Sequence, residues 1–415
     1  MRIQSHFCLP VRPAFNLQRL LSMMFALLLS SAALAQHNWD KILEQARGQT
    51  VYMTAWGGSE SVNDFLYWAG QQLDKNYGIR LHHVKVTNIS SVISRMTAES
   101  RARRRHGGAI DLLWINGENF RTLYSKGLLY APFVTDLPNW RFVDAQANPG
   151  LVNDAGMPTE GAEAPWGLAR LVFMYDKNHI ENPPQSAAQL LRFCRTHPGR
   201  FTYPAPPDFV GTAFLEQLLT ELIKDPSRLQ QPTSMGDKDF KQITKPLWAF
   251  LDKLHPYLWH AGHSFPLSSS AMKPLLNDGA LDIAITFNPA EATASIREGT
   301  LPASTATYTH ASGTLGNTHF LAIPKNSSSR AAALVTINFL LSPGAQRRKA
   351  NPELWGDPTV LSLDRLPPHE RQAFLKLPHN PAGLDIEKLG PGLPEPHPSW
   401  ARALKQSWLQ HYQAG

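Results

Sequence analysis

Polar, glycine-containing segments follow two apolar runs and could hold a small molecule. The first is Trp56-Gly57-Gly58-Ser59, after the alternating run 50–56, and the second is Asn116-Gly117-Glu118-Asn119, after the apolar run 110–115. Glycine lets a backbone approach a ligand closely, and the N–H groups that open a following helix favour anions or ligand carbonyls. Trp56 offers a ring face, and Glu118 is the acid best placed to pair with a cationic ligand. The alternatives are a core tryptophan at Trp56 and a helix residue at Glu118 that complements the dipole.

More candidate ligand-binding residues lie farther along the chain. Trp166 could stack on a ligand, and Thr212 could cap a helix that receives a polar group. Aromatic rings with a carboxylate suit an amine or a heteroaromatic cation, polyamine-like or thiamine-like, because a ring face attracts positive charge by about 0.5 to 2 kcal/mol. The complete predicted set is Trp56, Gly57, Gly58, Ser59, Asn116, Glu118, Asn119, Trp166, Asp208, Phe209, Gly211, Thr212, Phe287 and Asn288.

Metal-binding and catalytic patterns are weak or absent in the sequence. His260 and His263 have an H-x-x-H spacing, but Gly262 and nearby prolines favour a loop without a matched carboxylate. There is no H-E-x-x-H, G-x-S-x-G, Walker or C-x-x-C motif, and Cys194 has no local nucleophile context. We therefore predict no catalytic residue, no metal and no cofactor. The alternative is an exported hydrolase or lyase whose active site is assembled in space.

The elements that must position these residues alternate between strand and helix. Apolar residues alternate with period two over 50–56 and 79–86, and the run 110–115 is nearly all apolar. Helical stripes lie between them and end at Gly78 and Gly107. This order predicts an α/β fold with a parallel sheet, in which ligands bind beyond the carboxyl ends of the strands.

The N-terminus has the pattern of a secretory signal. Arg2, Arg12 and Arg19 precede an apolar run over 20–29, and small residues lead to Ala35. We expect export to the periplasm with cleavage after Ala35. The alternative is an N-terminal membrane anchor. Cleavage would leave a single cysteine, which excludes an internal disulfide.

The net charge gives little support for nucleic-acid binding. Part of the formal charge of +7 comes from arginines of the signal, so the mature chain is only mildly basic. The arginines at 101–105 fit the solvated end of a helix, without the interleaved aromatic residues of a nucleic-acid surface. We therefore predict no nucleic-acid partner.

Several segments, taken in order, resemble the periplasmic solute-binding proteins of ABC importers, extracellular solute-binding family 1, in the YnjB-like branch. They are DLLWINGENF (111–120), APWG (164–167) leading to YDKN (175–178), YPAPPDFVGTAF (203–214), DIAITFNP (282–289), GNTHFLAIP (316–324) and INFLLSPGAQ (337–346). The resemblance implies a type II binding-protein fold, with two α/β lobes that close on a small ligand. It also implies a monomer that docks on a membrane permease and its ATPase.

The N-terminal pattern, the order of strands and helices and the resemblance together give a domain map. The signal covers 1–35, the first lobe 36–165, the second lobe 166–290 and the return to the first lobe 291–345. Hinge crossings are expected near 166–175 and 287–301. The segment 346–415 is expected to form short helices that pack on the lobes.

Overall fold

The computed structural model describes residues 38–86, 89–384, 389 and 392–413. The predicted signal peptide and its cleavage site lie outside these residues. The strands are β1 (Thr50–Trp56), β2 (Arg80–Val86), β3 (Leu112–Ile115), β4 (Asn153–Asp154), β5 (Met157–Pro158), β6 (Glu163–Arg170), β7 (Val172–Asp176), β8 (Ile283–Thr286), β9 (Thr305–Tyr308), β10 (Thr314–Ala322) and β11 (Gly392–Leu393). The α-helices are α1 (38–46), α2 (Glu60–Tyr77), α3 (Ser90–Arg101), α4 (Glu118–Ser125), α5 (Ala187–Thr196), α6 (Phe209–Leu222), α7 (Lys238–Leu254), α8 (Met272–Asn277), α9 (Glu291–Arg297), α10 (Arg330–Leu340), α11 (Pro343–Ala350), α12 (Pro368–Leu375) and α13 (Pro398–Tyr412).

A larger sheet forms the first lobe. Its strands follow the order β11-β10-β3-β1-β2, with β6 paired to the antiparallel strand β10. Strand β1 is parallel to both β2 and β3, as the alternation of strands with helices along the chain predicts. The carboxyl ends of β1 and β3 therefore meet at one edge of the sheet, and each is followed by a helix. This edge faces the second lobe.

A smaller antiparallel sheet, in the order β8-β7-β9, forms the second lobe. Its core joins Phe173 of the sheet to Phe214 of α6 and Leu251 of α7. The first lobe has separate core clusters on the two faces of its own sheet. Two lobes with separate cores confirm the predicted two-lobed α/β fold.

The chain crosses between the lobes at the start of β7 and at the start of β10. At this junction the Leu171 N–H donates to Leu315 O at 2.9 Å, and the Gln217 side chain bonds to the backbone of both Gly313 and Leu315. The segment 301–308 was expected in the return to the first lobe. It belongs instead to the second lobe, because β9 pairs with β7. Alternating polarity indicates a strand but not its partner, so the sequence could not place this boundary.

The C-terminal segment contacts both lobes. Trp355, Leu361 and Phe374 belong to the core of the first lobe, whereas Trp400 and Trp408 of α13 belong to that of the second. Within the described ranges, no helix combines the length and apolar character that a bilayer crossing needs.

Candidate functional site

The end of β1 faces the second lobe. The Ser270 hydroxyl of that lobe donates to Gly58 O at 3.0 Å. A Cβ at Gly58 would lie 2.5 Å from the ring of Trp56, and one at Gly57 would lie 2.7 Å from Cβ of Lys85. These glycines therefore make room for neighbouring side chains. Trp56 itself is partly buried and keeps some exposed surface.

A second contact between the lobes lies one helical turn farther on. Ser59 precedes α2 and is buried, but its side chain makes no capping hydrogen bond. The Ser61 hydroxyl donates to Glu298 Oε1 at 3.2 Å. Ser59 is therefore placed beside this contact without taking part in it.

At the end of β3, the Glu118 carboxylate forms ion pairs with α13. Arg402 Nε lies 2.7 Å from Glu118 Oε1, and Lys405 Nζ lies 3.6 Å from Oε2. Asn116 and Asn119 are partly buried beside it, joined by a backbone hydrogen bond of 3.3 Å. Since α13 packs on the second lobe, Glu118 connects the lobes and is not a free acid for a cationic ligand.

Trp166 lies in the core of the first lobe. Its side chain is fully buried, with ring centroids 5.0 Å from Trp114 and 5.5 Å from Trp355. A ring enclosed on all sides by protein has no free face for a ligand to stack on. Trp166 is therefore placed in the core and not at the cleft.

Asp208, Gly211 and Thr212, which the sequence predicts as ligand-binding residues, make contacts within the N-terminal turn of α6. Asp208 Oδ1 accepts from Gly211 N at 2.9 Å, so Asp208 is the N-cap. Thr212 lies inside the helix and donates to Asp208 O at 2.7 Å, so it does not cap the helix. A Cβ at Gly211 would lie 1.8 Å from Pro204 O, which explains the glycine.

Phe209 and Phe287 form an aromatic pair in the second lobe. Their ring centroids are 5.0 Å apart, and Phe209 is 46% exposed. Asn288 is held beside them, because its Oδ1 accepts from Ala290 N at 3.0 Å and its Nδ2 lies 3.4 Å from Glu291 Oε2. The exposed ring of Phe209 is the best aromatic contact surface in the predicted set.

Between the lobes lies an acid cluster that the sequence did not predict, formed by Asp154, Glu163, Glu216 and Glu395. Asp154 and Glu163 belong to β4 and β6 of the first lobe, Glu216 to α6 of the second, and Glu395 to the segment before α13. Asp154 is also connected to the carboxyl end of β3, since its Oδ2 accepts from Gly117 N at 2.5 Å.

Burial dominates the protonation of the acid cluster. It raises the pKa of Glu216 to about 8 and that of Glu395 to about 7. The pKa values of Asp154 and Glu163 are raised well above their usual range, first by burial and then by neighbouring carboxylates. A cation placed among these groups would favour their ionised form and offset part of the effect of burial, and such strongly shifted groups mark a candidate site.

Two members of the cluster stand out in the sequence by their apolar neighbours. Glu163 lies between Ala162 and Ala164 in a buried strand, and Glu216 interrupts the apolar run of α6. A carboxylate is almost never fully buried without a partner, so an acid in an apolar run indicates a special role. Asp154 lies in a polar turn and carries no such signal.

The sequence matches the family model described as bacterial extracellular solute-binding protein over residues 68–362. This chain belongs to that family. It is 45% identical to Protein YnjB of Escherichia coli (strain K12) over 388 residues, which are 93% of this chain and 97% of YnjB. The match confirms the predicted family and gives no support to the hydrolase alternative.

Solved structures of solute-binding proteins share the fold at low identity. A putative spermidine/putrescine ABC transporter from Listeria monocytogenes aligns with a TM-score of 0.61 and 13% identity, covering 88% of this chain and 99% of its own. The Tp0655 (TpPotD) lipoprotein of Treponema pallidum gives 0.63 and 12%, with the same coverages. The periplasmic binding protein AfuA of Actinobacillus pleuropneumoniae, with fructose-6-phosphate bound, gives 0.62 and 12%, again covering 88% and 99%.

The lone thiol of the described residues does not resemble a nucleophile. Cys194 is fully buried in the core of the second lobe, and burial raises the pKa of its thiol to about 12. Reactive cysteines are partly exposed and have lowered pKa values. In this extracellular solute-binding protein, Cys194 is a core residue.

Proposed function

We propose that this protein is the solute-capturing component of an ABC importer. It holds a small cationic molecule between its lobes and delivers it to a membrane permease and its ATPase. The observation that carries the proposal is the acid cluster, which draws carboxyl groups from both lobes to the edge of the sheet where β3 ends. A ligand bound there contacts both lobes and stabilises their closed arrangement.

The contacts around the cluster support a closing cleft. Gly58 and Ser270 meet on one side, and Glu118 meets Arg402 on another. Each joins the first lobe to the second through a few polar atoms. Polar interfaces of this kind can separate and re-form as a hinge bends.

The residues of the site indicate the ligand class, and the structural neighbours do not. One neighbour has a spermidine/putrescine name and another holds a sugar phosphate, so the shared fold admits both cations and anions. A cation among these carboxyl groups favours their ionised form and is attracted to it, whereas a phosphate would disfavour ionisation further and gains no such attraction. The exposed ring of Phe209 and the partly buried ring of Trp56 add surfaces that suit an amine or a heteroaromatic cation.

The proposal includes export, a monomeric state and the absence of turnover. The signal pattern predicts a mature chain that begins at Gln36 in the periplasm. Mass spectrometry of the protein released from the periplasm would show this N-terminus. Retention of residues 1–35 in a membrane fraction would contradict it.

A thermal-shift screen of the purified mature protein tests capture directly. The panel contains amines, thiamine, sugars, amino acids and sugar phosphates. A ligand at about 100 times its dissociation constant should stabilise the fold by about 2.7 kcal/mol. The ligand should be recovered unchanged after prolonged incubation. Stabilisation only by anions, or release of a product, would overturn the proposal.

A further inference from the structure

We propose that the acid cluster binds a primary or secondary ammonium group through its N–H donors and discriminates against cations that lack N–H groups. This inference rests on the proposed function and decides between its two ligand classes. An aliphatic amine satisfies it, and a quaternary or thiazolium cation does not.

The geometry of Glu163 provides the first argument. Its side chain is 1% exposed, and no backbone N–H, hydroxyl, amide or basic group of the described residues donates to either carboxyl oxygen. Asp154 is 2% exposed, with Oδ2 bonded to Gly117 N, and its carboxyl group faces that of Glu163 within hydrogen-bonding range, so the two can be joined only through a shared proton. A buried acceptor without a donor is unfavourable, so these oxygens favour a ligand that brings N–H groups to them.

The neighbouring basic residues are engaged elsewhere. Arg402 and Lys405 pair with Glu118, and an Arg121 guanidinium nitrogen lies 2.7 Å from the ring of His397. Across the described part of the chain, no lysine, arginine or histidine forms an ion pair with any of the four acids of the cluster. A positive charge that would favour the ionised form of these acids therefore comes from outside this part of the protein.

The type of cation follows from the atoms that surround it. An ammonium group presents up to three N–H donors, and a quaternary nitrogen presents none. Quaternary cations are recognised chiefly by the faces of aromatic rings. Here four carboxyl groups form the cluster, and the Phe209–Phe287 pair at the start of α6 and after β8 adds one exposed ring and no ring cage.

Binding should also release protons. Asp154 and Glu163 are close enough to share a proton, and burial raises the pKa of both. The Glu395 carboxyl group raises the pKa of both Asp154 and Glu216, while Lys405 acts on Glu216 in the opposite direction. An ammonium that replaces the shared proton favours the ionised carboxylates, so binding weakens as the pH falls.

Calorimetry with matched ligands tests the inference on the full mature chain. The probes are 1,4-diaminobutane, its hexamethyl bis-quaternary counterpart, thiamine, CaCl₂, and any other amine found in the screen together with its permethylated form. We expect the N–H form to bind at least tenfold more tightly than the permethylated form. Titration in buffers of different ionisation enthalpy should show proton release.

Variants locate the effect. Glu163→Gln should weaken amine binding at least tenfold, and Asp154→Asn should weaken it by a similar factor. Glu160→Gln changes an exposed acid three residues away and should leave binding unchanged. Circular dichroism melting shows whether each variant folds. If Glu163→Gln does not fold, the comparison of the N–H and permethylated probes on the unmodified protein decides the question.

The other outcomes overturn the inference in distinguishable ways. If the quaternary probe binds as well as the amine, or if Glu163→Gln keeps full affinity, the inference fails and the proposed function stands. If Ca²⁺ binds tightly and blocks the amine, the cluster is a metal site. If no solute in the panel binds, both the inference and the proposed function fail.

Discussion

Glu216 makes the stability of the ligand-free protein depend on pH. Its pKa is about 8 in the folded chain because of burial, against a usual value of 4.5. Between these values the folded state binds more protons than the unfolded state, so the free energy of unfolding falls as the pH rises. The slope for one proton is at most about 1.4 kcal/mol per pH unit.

Urea unfolding between pH 5 and pH 8 measures this dependence. We expect the ligand-free protein to be more stable at pH 5 than at pH 8, and Glu216→Gln to reduce the difference by the share of one group, since Glu395 and the Asp154–Glu163 pair keep theirs. Glu160→Gln, at an exposed position, should follow the unmodified protein. An unchanged slope in Glu216→Gln would show that the group ionises freely in the folded state.

Trp166 and Trp56 should behave differently when truncated. Trp166 is fully buried between aromatic rings, so Trp166→Ala should cost about 3 to 5 kcal/mol of unfolding free energy. Trp56→Ala should cost less, because Trp56 is only partly buried. Tyr67→Ala, at a residue that is 71% exposed, is the control. Equal losses at Trp166 and Tyr67 would contradict the burial of Trp166.

Individual site residues could be predicted from the sequence only in part. The pattern of apolar and polar residues predicts the carboxyl ends of β1 and β3. It does not decide between a core role and a ligand role for Trp56, and it does not indicate the core role of Trp166. Glu118 was chosen as the free acid because its partner Arg402 is distant in the sequence and pairs only after folding. The acid cluster was missed for the same reason, since its members come from four separate segments.

Local sequence patterns are sufficient to predict the bounds of some individual helices and strands. The stripe that ends at Gly78 gave α2, and alternation gave β1 and β2 almost to the residue. Strand partners depend on distant contacts, which explains why β9 was interpreted as part of the first lobe. The structure also starts α6 at Phe209, earlier than expected, because Asp208 caps it.

The ion pair between α4 and α13 should slow the release of ligand. Glu118 and Arg402 are partly exposed, so their coupling should be about 0.2 to 1 kcal/mol in a double-mutant cycle of unfolding free energies. If the pair must break for the lobes to part, Glu118→Gln should speed ligand dissociation by up to about fivefold. Stopped-flow fluorescence measures that rate.

The matched control is the Arg228–Asp239 pair, which lies within the second lobe at 2.7 Å. Arg228→Gln removes an exposed ion pair without touching the junction between the lobes, so its dissociation rate should stay unchanged. Equal acceleration in both variants would mean that Glu118 does not restrain the lobes.

For the whole molecule, separate cores predict that the lobes can be destabilised independently. Leu340 is fully buried in the core of the first lobe and Leu404 in that of the second. Truncating either to alanine removes similar apolar volume and should cost about 2 to 5 kcal/mol. Calorimetry of the ligand-free variants should show two transitions, with Leu340→Ala lowering one and Leu404→Ala the other.

Ligand should bring these transitions together, because the acid cluster takes residues from both lobes. A bound solute stabilises only the arrangement in which both lobes are folded and in contact, so loss of either lobe releases it. At saturating ligand, Leu340→Ala and Leu404→Ala should each shift a single merged transition. If the ligand raises one transition and leaves the other at its ligand-free temperature, the solute is held by one lobe alone and does not bridge the two.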